Sequence, residues 1–427
     1  MTGSIRPEAP DPGQAAVGQA RIGWAERDMP VLGLIRDAFE REQPFAGRVV
    51  AACLHVTAET AVLVNLLTAG GAQVHLAASN PLSTQDDIAA ALAASRSVTV
   101  HARSGVDRRT YYQHIDRVLD AGPSLVIDDG CDLVNTLHTE RQELLAGVRG
   151  GCESTSTGVA RLRRMAADGT LAFPMVAADG SRTRRTFDNF LGTGQSVIDG
   201  ILRATNTLLA GKVVVVAGYG SCGSGIAARA RGLGAQVIVT EVDPVRALDA
   251  LMQGFRVLPM TEAAPLGQVF ITATGSREVI GPGHLAAMRD GAILANAGHF
   301  DVEVDVRALA DLAVAVHPAV RPHADEYLLA DGRRLILLAE GRVVNLVAAE
   351  GNPAAVMDLS FAVQALALAW LAGDSDGDKP CLPPGVHEVP DEIDTRIAAL
   401  ALASLGTRID ALTPVQEEYL ESWRQGS

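Results

Sequence analysis

Val213-Val214-Val215-Val216-Ala217-Gly218-Tyr219-Gly220-Ser221-Cys222-Gly223-Ser224-Gly225 is the stretch on which the fold turns. Four valines in a row read as a strand buried on both faces. The strand runs straight into G-x-G-x-x-G, and the Ala-rich residues after it read as a helix. Glycines at that spacing permit a tight turn and let a pyrophosphate approach the N–H groups at a helix N-terminus. The next strand, Val237 to Glu241, is introduced by Gly234-Ala235-Gln236-Val237 and ends in a carboxylate about 20 residues on, where such folds hold a ribose. A carboxylate there accepts from a 2′-hydroxyl and repels a 2′-phosphate, so the pattern predicts NAD rather than NADP. The expected contacts are Gly218, Gly220, Ser221, Cys222, Gly223, Ser224, Gly225 and Glu241.

The same plan occurs earlier in the chain. Arg48 to Leu54 reads as a strand, Thr57 to Leu67 as a helix and Gln73 to Ala78 as a second strand, introduced by Gly71-Ala72-Gln73-Val74. Alternating strands and helices make parallel sheets. The expected fold class is therefore α/β: two Rossmann-like, doubly wound parallel-sheet domains joined by hinge helices, with a short C-terminal helical segment. Ser124 to Asp128 reads as a further strand, Thr186 to Ala210 as a long helical connector, and Ala354 to Leu371 as an apolar helix that returns to the first domain. The breaker-rich residues 373–384 follow it. These readings place a flexible tail at 1–20, a discontinuous substrate domain at 21–194 and 349–385, a nucleotide domain at 195–348 and terminal helices at 386–427.

At 427 residues, two to three domains are the natural division. Fifty acidic against 36 basic side chains give a net charge of −14, which attracts neither phosphate backbones nor anionic lipid. No nucleic-acid or membrane partner is expected. The apolar run from Phe361 to Ala372 is shorter than the roughly 20 residues a bilayer needs, and the N-terminus lacks the basic and apolar regions of a signal peptide. Five scattered cysteines, with no C-x-x-C and no metal spacing, point to a reducing cytoplasm and no bound metal. Two of the ten histidines stand at strand ends, where α/β sites form: His55, in Leu54-His55-Val56-Thr57-Ala58-Glu59-Thr60, and His299, in Asn296-Ala297-Gly298-His299-Phe300-Asp301. From position alone each is either a structural histidine or a general acid/base.

Val216-Ala217-Gly218-Tyr219-Gly220, Thr240-Glu241-Val242-Asp243-Pro244 and Gly298-His299-Phe300-Asp301-Val302-Glu303 together resemble the S-adenosylhomocysteine hydrolase (adenosylhomocysteinase) family. The likeness extends through the His55 segment, Ser83-Thr84-Gln85-Asp86, Asp128-Asp129-Gly130, Phe187-Asp188-Asn189 and Asn345-Leu346. Gly192-Thr193-Gly194-Gln195-Ser196 and the ending Tyr419-Leu420-Glu421-Ser422-Trp423 look like the shorter, archaeal-type branch. The resemblance implies a cytoplasmic enzyme of one-carbon metabolism, a homo-oligomer (tetramer or dimer), that cleaves S-adenosylhomocysteine reversibly to adenosine and homocysteine. Retained NAD oxidises the 3′-hydroxyl, the 5′ thioether is eliminated, water adds and the ketone is reduced again. By position, His55, Asp129 and His299 would move protons, Thr57 and Glu59 would face the adenine, and Asp188 and Asn189 would sit at the 3′ end. Thr155, Ser156, Thr157, Arg246, Ala297, Gly298, His299 and Asn345 would join the glycine turn in holding NAD.

Three positions depart from the family: Ser154 stands for a Glu, Arg184 for a Lys and Asn352 for a His. They alter the substrate shell while the cofactor residues remain. Arg184 can bind a hydroxyl or an oxyanion, but a guanidinium does not give up its proton. Besides the ordinary hydrolase, the sequence therefore leaves open a paralogous NAD enzyme that applies 3′-oxidation to another adenine nucleoside in a biosynthetic pathway, and a non-catalytic NAD-binding regulatory paralog.

Overall fold

The computed structural model describes residues 11–95, 97–373 and 382–424. The expectations for residues 1–10, most of the breaker-rich 373–384 and Cys381 lie outside them. Six strands, β1 (Val49–Leu54), β2 (Gln73–Ala78), β3 (Val98–His101), β4 (Leu125–Asp128), β5 (Gly150–Glu153) and β6 (Pro174–Ala177), lie parallel. Eight more form a second sheet: β7 (Val213–Ala217), β8 (Gln236–Thr240), β9 (Arg256–Val257), β10 (Val269–Thr272), β11 (Ala292–Asn296), β12 (Ala313–Arg321), β13 (Ala324–Leu329) and β14 (Arg334–Leu338). The chain then returns, and β15 (Gly385–Glu388) pairs in parallel with β6.

The sheet orders are β15-β6-β5-β4-β1-β2-β3 and β12-β13-β14-β11-β10-β7-β8-β9. Strand order reverses between β1 and β4 in the first and between β7 and β10 in the second. Ligands of such sheets lie beyond the C-terminal strand ends at those switch points. The central strands are buried throughout: Val50 to Cys53 and Val214 to Val216 have no exposed surface. Each fully buried valine of β7 contributes roughly 1.5–3 kcal/mol relative to an exposed one.

Several expectations need correction. Residues 12–20 are not a loose tail: Pro12–Arg27 is a helix, capped by Asp11 and packed on the helix Asp86–Ser95. Its Gly18 lies so close to the Asp87 carbonyl that a Cβ would not fit. The second sheet is not wholly parallel, because β12 and β13 are separated by only two residues and a turn that short allows only antiparallel pairing. The connector ends at Thr205, where Asn206 turns left-handed, and its first part, Arg184–Gly192, is a π-helix. The segment 386–427 is not purely helical, since it carries most of β15 ahead of the helices Asp391–Ser404 and Pro414–Glu421.

The apolar helix runs over Ala354–Ala372, 19 residues, so length alone does not bar it from crossing a membrane, as the shorter run suggested. Its burial describes it better. It packs on the helices Pro30–Glu42 and Ala58–Ala69, and Phe361, Ala365 and Leu368 join the first sheet's core.

Candidate functional site

The two switch points face one another across a cleft of about 1180 Å³. All the residues singled out from the sequence line it except Gly223, Ser224 and Gly225. Those three shape the turn from inside. A Cβ on Gly223 would strike the Gly218 carbonyl, one on Gly225 would strike the Phe190 carbonyl, and the Ser224 hydroxyl donates to the Ser221 carbonyl at 3.1 Å.

On the first sheet, His55 follows β1. Its Nδ1 meets the hydroxyls of Ser83 at 2.7 Å and Ser79 at 3.2 Å, and this fixes the ring. Asp129 follows β4 and accepts a short hydrogen bond from the Ser154 hydroxyl. Glu153, beside Ser154 in sequence, points the other way, accepting from the N–H groups of Gly130 (3.0 Å) and Thr155 (2.8 Å).

From the second sheet, the loop after β11 brings His299 to within 5.4 Å of the His55 ring. Gly130, at φ +102°, lies directly under this imidazole, and a Cβ there would collide with Nε2. Burial lowers both histidines to about 4, helped at His299 by its neighbour His55. Both are therefore neutral imidazoles at pH 7. Burial also raises the Asp129 carboxyl, against the pull of Ser154 and Arg184.

The π-helix supplies Arg184, Asp188 and Asn189. Asp188 accepts from Ser360 at 2.7 Å and from Asn352, and pairs with Arg184 at 3.4 Å. Burial opposes the charge on Arg184, but Asp188, Asp179 and Asp129 outweigh it and raise the guanidinium further. Its Nε and Nη1 are buried without a partner. Asn189 donates to Asp179 at 3.2 Å. Asn352 lines the cleft, yet its amide is taken up by the protein: it gives to Asp188 and Thr193, and accepts from Ser196 and Asn345. It thus ties Asp188 to Asn345.

Thr57 caps the helix Ala58–Ala69, and burial raises the Glu59 carboxyl. No motif announces Met357, Phe361 and Gln364, which face the cleft from one side of the apolar helix at i, i+4 and i+7. The signal was Gln364, a polar residue amid an apolar run, and its buried Oε1 has no partner. Asp179, in the short 3-10 helix Ala178–Gly180, and Glu350, in a loop, also line the cleft, and no motif marks them.

Whether the cleft suits a dinucleotide is decided at the glycine turn. The helix Ser221–Gly232 has Gly220 as its N-cap with no side-chain bond, so its first N–H groups are open to a phosphate, and a Cβ on Gly220 would meet nothing nearer than Arg246 at 3.6 Å. Glu241 accepts from the N–H groups of Tyr219, Val242 and Asp243. A carboxylate with about four lone-pair sites has one left for a sugar hydroxyl. The buried Oδ1 of Asn345 has no partner in the protein, as suits an amide-bearing ligand. The residues fit the dinucleotide. Among the described residues, no group of three His, Cys, Asp or Glu could hold a metal ion.

A family model described as "S-adenosyl-L-homocysteine hydrolase, NAD binding domain" matches residues 189–351, and the one described as "S-adenosyl-L-homocysteine hydrolase" matches 9–146. The chain belongs to the S-adenosyl-L-homocysteine hydrolase family. It is an enzyme of that family, and its cofactor is NAD. It is 53% identical over 423 residues to an adenosylhomocysteinase of Thermosynechococcus vestitus (99% of this chain, 97% of that one) and 55% identical over 413 residues to one of Aquifex aeolicus (97% and 98%). It is also 52% identical over 410 residues to an S-inosyl-L-homocysteine hydrolase of Methanosarcina mazei (96% and 98%). Among solved structures, a dipicolinate synthase chain of Bacillus halodurans aligns with a TM-score of 0.48 at 15% identity, covering 76% of this chain and 99% of that one.

Proposed function

We propose that this enzyme cleaves the thioether of S-adenosyl-L-homocysteine, reversibly, to adenosine and homocysteine. The carrying observation is the convergence of His55 and His299, neutral imidazoles from different sheets, beside Asp129 and Asp188. When bound, NAD supplies reversible two-electron chemistry at the 3′ carbon. The chain's residues do the rest. Arg184 donates to the 3′ oxygen and orients it, while Asp188 and Asn189 fix that end of the sugar. Asp129 and the two imidazoles stand where a proton must leave C4′, reach the departing sulfur and be taken from the incoming water. A base near neutrality must be free of its proton at working pH, and burial provides that for both histidines. Thr57 and Glu59 face the nucleobase, and Met357 and Phe361 line the same cleft. Ser156 and Thr157 lie toward the NAD side, with Thr155 capping their helix.

A second reading, cleavage of a related thioether carrying another purine or an altered sugar, is favoured by one feature. The unpartnered edge of Arg184, with the small Ser154 beside Asp129, leaves room and donors for an additional oxygen. Purified holoprotein mixed with S-adenosyl-L-homocysteine should release adenosine and homocysteine. A panel with S-inosyl-L-homocysteine and other 5′-substituted adenosines separates the readings: turnover of a panel member at more than ten times the efficiency assigns it as the substrate. Homo-oligomerisation and a cytoplasmic location belong to the proposal. The first is supported by exposed Ile409, Leu412, Val415, Leu420 and Trp423 near the C-terminus, the second by unpaired Cys53, Cys131, Cys152 and Cys222.

A further inference from the structure

Behind the meeting of His299 and Gly130 stands Arg161, on the helix Ser156–Ala167 of the first half. One nitrogen, Nη1, donates to the Gly130 carbonyl and, at 2.7 Å, to Asp132. Asp132 is held from its other side by the Tyr111 hydroxyl at 3.1 Å. The Arg161 guanidinium lies 5.7 Å from the centre of the Phe300 ring, and Phe300 stands edge-on to the imidazole of His299 at 4.7 Å. A cation over an aromatic face is attracted by the ring's quadrupole. One side chain therefore grips the backbone under His299 and the ring beside it, and these come from opposite halves of the chain.

We propose that Arg161 is a positioning residue for the reaction: it seats the His299 imidazole on the Asp129–Gly130 turn when the two halves meet. The geometry carries this. Gly130 has no Cβ, so the imidazole rests on bare backbone, and a small displacement of that turn moves the ring. A misplacement of about 1 Å at a reacting group can cost on the order of a hundredfold in rate. The charged and titratable groups around His299 are His55, Asp129, Asp132 and Arg161, and of these Arg161 and His55 favour the neutral imidazole.

The inference rests on the proton-transfer role proposed for His299, and the experiment separates the two. Arg161→Ala, Arg161→Lys, Phe300→Leu, the Arg161→Ala/Phe300→Leu double variant and His299→Ala are compared as holoproteins for kcat, KM, bound NAD and the pH dependence of kcat/KM. The expected result for Arg161→Ala is a kcat lowered at least tenfold, with KM and NAD content within twofold and the acid limb moved to higher pH. Arg161→Lys, which keeps the charge and folds with less disturbance, recovers part of the rate and the position of the acid limb. Phe300→Leu costs little more in the Arg161→Ala background. A kcat within twofold of wild type for Arg161→Ala, or a loss with an unmoved acid limb and full additivity with Phe300→Leu, overturns the assignment. An active His299→Ala protein overturns the proposed role of His299 instead.

Discussion

The two central histidines make the most direct test of the site, because burial lowers both to about 4. The pH profile of kcat/KM reports groups of the free enzyme, so its acid limb is expected near pH 4 to 5. A limb at 6 to 7 would mean exposed, ordinary imidazoles. The same shifts act on stability. An unfolded histidine titrates near 6.5 and binds more protons than the folded one between 6.5 and 4. Their contribution is therefore complete above about 6.5 and lost as the pH falls toward 4, so thermal melts should show falling stability across that window. His299→Ala and Asp129→Asn should each lower turnover by about 10²- to 10⁴-fold with NAD retained in the purified protein. Arg184→Lys removes two buried donors that have no partner and supplies an amine able to release a proton. It should leave the melting temperature unchanged or higher and raise the rate on S-adenosyl-L-homocysteine. A lower rate would favour a substrate matched to the guanidinium.

The π-helix Arg184–Gly192 is held from outside the sheet that it serves. Asp394, on the helix Asp391–Ser404, accepts from the Ser181 and Thr183 hydroxyls and the Arg182 and Thr183 N–H groups just before the segment begins. These bonds outweigh its burial and hold the carboxyl below its usual value. The stability it contributes is present above pH 4 and lost as pH falls through that lowered value. Asp394→Ala strands several donors at about 1–3 kcal/mol for each one left buried, so the melting temperature and kcat should fall together, with Asp394→Asn intermediate. An Asp394→Ala enzyme with wild-type kcat would show that the π-helix seats itself.

These elements also mark how far the sequence could be read. Valine runs followed by glycine turns announce parallel strands and a nucleotide site, because a strand buried on both faces accounts for the valines and a helix N-terminus open to a phosphate accounts for the glycines. His55 and His299 stood out as histidines at strand ends, where side chains can converge, although position alone left a structural role open; Asp129 was marked only by the family resemblance. Gly385–Glu388 was not legible as a strand: it is four residues long, and only Val386 is strongly apolar. Residues 1–20, rich in Pro, Gly and Ala, read as a loose tail, whereas Gly18 is there to let two helix backbones touch. Arg161 and Asp394 act through hydrogen bonds across long sequence separations, and no local pattern reports those.

Across the whole molecule, the glycine turn proposed for NAD and the residues proposed for the substrate line one cleft whose walls belong to both sheets. Cofactor binding should therefore stabilise the closed arrangement, by about 2.7 kcal/mol when free NAD is a hundred times its dissociation constant. Stripping NAD should lower the melting temperature, and adding it back should restore the value. NADP, whose 2′-phosphate would meet Glu241, should not. A melting temperature indifferent to NAD would mean that the two sheets close without it.

The return of the chain to its first sheet sets the timetable of its synthesis. The apolar helix Ala354–Ala372 and the edge strand β15 leave the ribosome only after the whole second sheet has been made. Until then the first-made half lacks a helix of its core and presents an open edge along β6, a surface that invites association with other nascent chains. The later half, by contrast, has all its strands in one continuous stretch and can fold while the earlier half waits. Released chains truncated near residue 350 should thus protect residues 213–338 from protease while the Val49–Ala177 region is still cut. Chains extended past residue 404 should protect both.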